Sequence, residues 1–188
     1  MKVTALSLPG LLLIEPKRFG DHRGYFVETW NKERYEKAGI AKPFVQDNLS
    51  FSAKGVLRGL HFQREQPQAK LITVLKGEVF DVALDIRVGS PTFGQWEAVR
   101  LSDENGHQLF VPEGMAHGFC ITKNETLFSY KCTDFYHPES EKTVLWNDPD
   151  IGIQWPLSCP SLSEKDTRGL PLSAMNQSLL PTYSDSSK

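Results

Sequence analysis

Cysteine is scarce: three residues, Cys120, Cys132 and Cys159, in a chain of 188. None forms a CxxC pair, and the odd number argues against a disulfide framework. An excess of charge of one sign is also missing, since 21 Lys and Arg against 23 Asp and Glu leave a net charge of −2. There is then no overall basic field to attract nucleic acid or an anionic membrane, and any anionic ligand must be met by locally placed Arg and Lys. Long apolar runs are absent. Leu11 to Ile14 is far too short to span a bilayer, and the first ten residues lack the apolar core of a signal peptide. No Gly/Ser linker, internal repeat or low-complexity tract divides the chain, so one domain over 1–188 is expected. These absences together predict a cytoplasmic protein with a small partner, bound to neither nucleic acid nor membrane.

What is present is mostly β. Leu11-Leu12-Leu13-Ile14 reads as a short buried strand ending at Glu15-Pro16, and Tyr25 to Trp30 as an aromatic-rich strand after the polar turn Phe19 to Gly24. One short helix is predicted over Lys32 to Ala38, capped by Asn31 and stopped by Gly39. From Phe44 onward, short strands follow at spacings of roughly 8 to 12 residues, broken by Gly and Pro, which is the pattern of a sandwich or barrel. The expected runs are Val56 to Gln63, Lys70 to Lys76, Glu78 to Val88, Gln95 to Leu101, His107 to Val111, Gly118 to Thr122 and Thr126 to Cys132. The core is expected over about 19–157. A turn-rich C-terminal segment, 158–188, packs on it, with a helical turn between Ser161 and Leu170 and a frayed end from Ser184.

Charge is placed where it is costly to hide. His61, Lys70, Asp81 and Asp85 interrupt short apolar strands, and a buried charge must be paired or used. If Lys76-Gly77 is a two-residue hairpin loop, Lys70 lies diagonal to Asp81 on one polar face, while Phe80, Val82, Leu84 and Ile86 form the core face. His61 and Gln63 share a parity and point into the same cavity. Arg58 and His61 do not, so a shared site requires a bulge, for which Gly59 is the natural place.

A second signal lies in Gly106, Pro112-Glu113-Gly114 and His117, whose spacing resembles the second motif of the cupin family, with Ile121 where an Asn usually closes it. The first motif then lies across His61 to Gly77, and its metal-binding positions are His61, Gln63 and Lys70. An ammonium in a ligand slot repels a divalent cation and offers no lone pair, so no metal and no cofactor are expected. Chemistry must come from acids, bases and hydrogen bonds.

The resemblance is closer still. Arg58-Gly59-Leu60-His61-Phe62-Gln63, Gln68-Ala69-Lys70, Val79-Phe80-Asp81-Val82, Gly89 to Gly94, Val111 to Phe119 and Ser163-Glu164-Lys165-Asp166 are similar, in order and spacing, to the dTDP-4-dehydrorhamnose 3,5-epimerase family. The similarity runs from about Phe19 to Asp166. It implies an all-β cupin jelly roll with a few short peripheral helices, a homodimer, and a dTDP-linked 4-keto sugar as substrate. It also implies roles. His61 is the base that removes protons acidified by the C4 carbonyl, Asp166 orients it, Lys70 stabilises the C4 oxyanion, Asp81 holds Lys70, and Tyr130 donates a proton on the opposite face. Arg23, Arg58 and Lys165 correspond to diphosphate contacts. Glu28, Gln46, Asp47 and Asn48 match groups reading nucleoside and sugar, His117 a second wall of the sugar site, Tyr136 a thymine-stacking aromatic and Glu141 a further contact. Arg23 and Glu28 belong either to their own site or to a neighbour's.

Three alternatives stay open on the sequence: an enzyme inverting only C3 or only C5, a sugar-nucleotide binding protein without catalysis, and a metal-dependent cupin oxygenase. Each of the named polar residues alone is compatible with a structural or solvated role.

Overall fold

The fold follows from strands that are apolar on one or both faces and must be covered. A computed structural model describes residues 1–184 and shows two antiparallel sheets packed face to face; the predicted fraying at Asp185 to Lys188 lies outside the described residues. The strands are β1 (Lys2–Ala5), β2 (Leu12–Glu15), β3 (Arg18–Asp21), β4 (Gly24–Val27), β5 (Gln46–Ser52), β6 (Leu57–Gln63), β7 (Lys70–Lys76), β8 (Glu78–Asp85), β9 (Trp96–Ser102), β10 (Gln108–Val111), β11 (Met115–Ile121), β12 (Thr126–Cys132) and β13 (Glu141–Thr143). One sheet has the order β1-β2-β10-β7-β12-β5, the other β13-β6-β11-β8-β9, and β3 with β4 forms a separate two-stranded ribbon. The predicted all-β jelly roll is therefore what the chain adopts, and the larger sheet begins at Lys2, ahead of the expected start of the core.

Helix α1 (Lys32–Lys37) forms as the capping residues dictate: the Asn31 side chain accepts from the Arg34 N–H, and the helix stops at Ala38 before Gly39, whose φ is +93°. It covers one half of the six-stranded sheet's outer face, where Tyr35, Ile14, Leu71 and Phe110 cluster. The space between the sheets is filled by Ile72 and Val74 from β7, Val79 and Ala83 from β8, and Leu109, Phe119 and Phe128.

One expectation needs correction. Lys76-Gly77 is not a hairpin loop, because β7 pairs with β10 and β12 in one sheet while β8 pairs with β11 and β9 in the other. Both faces of β8 are apolar, and a strand of that kind needs cover on two sides. Val79 and Ala83 face the sandwich interior, whereas Val82, Leu84 and Ile86 are buried with Leu172 and Leu180, against which Ile153, Trp155 and Met175 also pack. The chain at Gly77 thus passes from one sheet to the other. A side chain there would collide with Thr126 Oγ1. Lys70 and Asp81 consequently reach the same interior from opposite sheets.

The C-terminal segment does more than cover. It crosses the five-stranded sheet, and at its turn the short helix α2 (Glu164–Thr167), capped by Ser163, lies beside β6.

Candidate active site

Gly59 opens the site. Pairing of β6 with β11 slips between His117 and Phe119, and Gly59 has a φ of +117°. A Cβ there would lie 2.5 Å from Gly118 Cα and 2.7 Å from the His117 carbonyl oxygen, so only glycine fits. This is the expected bulge, and it turns both Arg58 and His61 into one cavity of about 450 Å³.

The two sheets supply different walls. From the six-stranded sheet come Gln46, Asn48 and Ser50 on β5, Lys70 on β7, and Phe128 and Tyr130 on β12; from the five-stranded sheet come Arg58, His61, His117, Phe119 and Glu141. Lys165, Ser163 and Asp166 arrive from the C-terminal segment, and Gln68 and Tyr136 from loops. Arg58, Lys70 and Lys165 give the lining three fixed cations against the carboxylates of Glu141 and Asp166, a local balance suited to an anion in a chain without net positive charge.

Asp166 Oδ1 lies 2.6 Å from His61 Nε2 and accepts from the Gly59 N–H at 3.3 Å, while Oδ2 accepts from the Ser163 hydroxyl at 2.6 Å. Burial works against the charge of Asp166, but the hydrogen bonds from His61 and Ser163, the His61 charge and the Gly59 N–H together hold its carboxyl below the usual range. An ionised acceptor at Nε2 takes that nitrogen's hydrogen, which leaves the lone pair of His61 on Nδ1. Glu141 Oε1 stands 3.8 Å from Nδ1. His61 is thus flanked by two carboxylates.

Tyr130 is pushed up to about 12, by burial first and then by the charges of Cys132 and Glu141, with Arg58 opposing. The phenol therefore keeps its proton at neutral pH. For Lys70, burial pushes the ammonium down, opposed by Cys132, Glu141 and Asp81 and assisted by Lys165. His117 is likewise lowered by burial against the pull of Asp81.

Asp81 does not bond Lys70 as expected. Its Oδ1 lies 2.8 Å from His117 Nε2, and among the described residues no carboxylate is within salt-bridge distance of Lys70 Nζ. The reason is the sheet crossing: once β7 and β8 part company, β11 becomes the neighbour of β8, and Asp81 pairs with Phe119 beside His117. Gln63 also does not line the main cavity. It ties the 134–137 loop, donating to the Phe135 carbonyl and accepting from the His137 N–H.

Three other candidates stand apart. Asp47 alternates outward from Gln46 and Asn48, exposed and 3.0 Å from Lys131. Arg23 lies on the β3–β4 turn bonded to Asp21, and Glu28 pairs with Arg34 at 3.0 Å. Sequence reasoning missed Ser50, Gln68, Phe119, Phe128 and Ser163. Ser50 shares the parity of Gln46 and Asn48, and Ser163 stands three residues before Asp166 as a cap, so both left a signal; Phe119 and Phe128, stacked at 3.8 Å, look like core strand residues in sequence. No group of three or more His, Cys, Asp or Glu among the described residues converges to hold a metal.

A jelly-roll cavity that brings together a carboxylate-held imidazole, a half-buried phenol on the facing sheet and an ammonium that no carboxylate among the described residues pairs holds the groups that acid–base chemistry needs, on a fold of the cupin type. Comparison with known proteins makes this specific. A family model described as dTDP-4-dehydrorhamnose 3,5-epimerase matches residues 5–174. A protein of that description from Methanothermobacter thermautotrophicus is 53% identical over 169 residues, covering 88% of this chain and 91% of its own. The crystal structure of a dTDP-6-deoxy-D-glucose-3,5-epimerase from Legionella pneumophila, in complex with dTDP-4-keto-L-rhamnose, superposes with a TM-score of 0.95 at 51% identity, covering 98% of this chain and 99% of that one. A dTDP-4-dehydrorhamnose 3-epimerase from Streptomyces niveus is 41% identical over 187 residues, covering 97% of this chain and 90% of its own. The chain belongs to the dTDP-4-dehydrorhamnose 3,5-epimerase family, and it is an epimerase.

Proposed function

We propose that the chain inverts C3 and C5 of dTDP-4-dehydro-6-deoxy-D-glucose to give dTDP-4-dehydro-L-rhamnose, without a cofactor, through enolates formed at the active-site cavity. The observation that carries the reading is the placement of His61 and Tyr130 on different sheets, facing one cavity from two sides. Inversion needs a proton taken from one face of a carbon and returned to the other. His61 takes the C–H proton on its free nitrogen, the electron pair moves onto the C4 oxygen, and Tyr130 gives its hydroxyl proton to the opposite face. Lys70, to which no carboxylate among the described residues is bonded, is free to meet the C4 oxyanion, where a partly buried cation acts strongly. Asp166 stabilises the imidazolium. Asp81 acts through His117, which it orients as a wall of the sugar site.

Arg58 and Lys165 contact the diphosphate, Gln46 and Asn48 read the nucleoside and sugar, and Tyr136, half exposed at the rim, stacks on the thymine. The double inversion is favoured over a single one by the 3,5-epimerase family match and the 51–53% identity, against 41% for the 3-epimerase. His61→Ala and Tyr130→Phe are each expected to lower exchange of the sugar protons with solvent by about 10²-fold or more while dTDP still binds. Wild-type exchange in both variants would refute the assignment.

The working unit of this reading is a homodimer. Leu49 and Phe51 on β5 and Leu75 on β7 lie exposed on the half of the six-stranded sheet that α1 leaves uncovered, and the β3–β4 ribbon, which pairs with neither sheet, exposes Phe19, Tyr25 and Phe26. Arg23 and Glu28, which are not among the residues lining the cavity of their own chain, then serve the cavity of the other subunit. The reaction is placed in the cytoplasm, consistent with three free cysteines; no helix among the described residues is long and apolar enough to cross a membrane.

A further inference from the structure

A single base that removes two protons in succession from one bound sugar must be emptied in between. After the first inversion the substrate proton sits on His61 as an imidazolium, and Tyr130, having given its proton to carbon, is a phenolate. Neither can act again until His61 loses a proton and Tyr130 gains one. Asp166 cannot serve as the outlet: its oxygens are taken by His61 Nε2, the Gly59 N–H and the Ser163 hydroxyl, and it is 2% exposed. The nitrogen that receives the substrate proton is Nδ1, on the other side of the ring. There, Glu141 Oε1 stands 3.8 Å away, and among the described residues this is the one ion-pair contact of that oxygen.

Glu141 is built to carry charge between the interior and the rim. Its side chain is 12% exposed, while its second oxygen accepts from the Tyr136 hydroxyl at 3.0 Å and from Lys165 Nζ at 2.6 Å, both on residues about half exposed at the cavity mouth. We propose that Glu141 is the proton relay that discharges His61 between the two inversions. The inference rests on the double-epimerase reading above. His61 Nδ1–H gives its proton to Glu141 Oε1 after a closure of about 1 Å into hydrogen-bond range. The neutral carboxyl then releases it to water at the mouth, and the Tyr130 phenolate recovers a proton from water, so the cycle ends with no net change in protons. Glu141 touches no reacting atom; it acts through His61.

The test follows both inversions on one bound sugar, so that differences in affinity cancel. Enzyme in excess over the 4-keto substrate is mixed in D2O, quenched at intervals and analysed by mass for sugars carrying one or two deuterons. The wild type is expected to add the second deuteron at a rate similar to the first. Glu141→Gln, which keeps an oxygen for Tyr136 but cannot take the proton, is expected to add the first and then stall, with the second at least tenfold slower. In Glu141→Ala, formate in the buffer should restore the second step in proportion to its concentration without moving the first. An unchanged ratio of second to first rates in Glu141→Gln, or no response to formate, overturns the relay while leaving the epimerase reading intact. A wild type that adds no deuterium overturns both.

Discussion

Replacing Asp166 by Asn isolates the charge behind His61 from the geometry that holds it. Asp166 Oδ1 serves two donors at once, His61 Nε2 at 2.6 Å and the Gly59 N–H at 3.3 Å, whereas Oδ2 meets a hydroxyl that can donate or accept. An Asn at this position must therefore turn its carbonyl oxygen toward His61 and Gly59 and its amide toward Ser163 Oγ. The imidazole keeps its hydrogen on Nε2 and its lone pair on Nδ1, so the variant loses the negative charge without a change of tautomer. An opposite charge in direct contact typically shifts a proton equilibrium by about 1 to 3 pK units. The imidazolium formed as the C–H bond breaks should thus be destabilised enough to slow kcat by about 10²-fold, with KM within a few-fold. The assay is steady-state turnover coupled to deuterium exchange. A loss below threefold would refute the role given to the carboxylate, and a loss confined to KM would place Asp166 in binding. A loss near the 10⁴-fold known for a triad with the wrong tautomer would refute the argument from Gly59.

The same carboxylate makes a stability prediction: its value is depressed in the folded chain, so its contribution is present above the ordinary carboxylate range and lost as pH falls through the folded value. The gap in Tm between wild type and Asp166→Asn should shrink below about pH 4, and a constant gap would contradict this. Because burial pushes the Lys70 ammonium down, activity should fall on the alkaline side at a pH below the ordinary lysine value of 10.5, and Lys70→Met should lose activity by about 10²-fold and show no such limb. Mixing inactive Arg23→Ala and His61→Ala subunits should restore activity if Arg23 serves the neighbouring site; no recovery after subunit exchange would return Arg23 to its own chain.

Much of this arrangement is legible in the sequence because local rules act alone there. Asn31 and Gly39 bound a helix by backbone chemistry, and Gly59 had to break the alternation if Arg58 and His61 were to meet. What escaped depends on which strands become neighbours. Glycine at 77 suits a hairpin and a sheet-to-sheet corner equally; the deciding fact is that the Val82, Leu84 and Ile86 face finds its cover in a segment some 90 residues away. That choice moved Asp81 from Lys70 to His117. Asp47 illustrates the converse, since its outward position follows from simple alternation with Gln46 and Asn48, whereas its assignment came from family resemblance alone. Tyr130 is a strand aromatic until the opposite sheet is placed.

The central claim is that two carbons of one sugar exchange their hydrogens in this cavity. Incubating dTDP-4-dehydro-6-deoxy-D-glucose with the enzyme in D2O and locating the label by NMR tests it most directly. Deuterium at both C3 and C5 is the predicted result; deuterium at one carbon alone would make the chain a single-site epimerase, and none at either would remove the catalytic role of His61 and Tyr130.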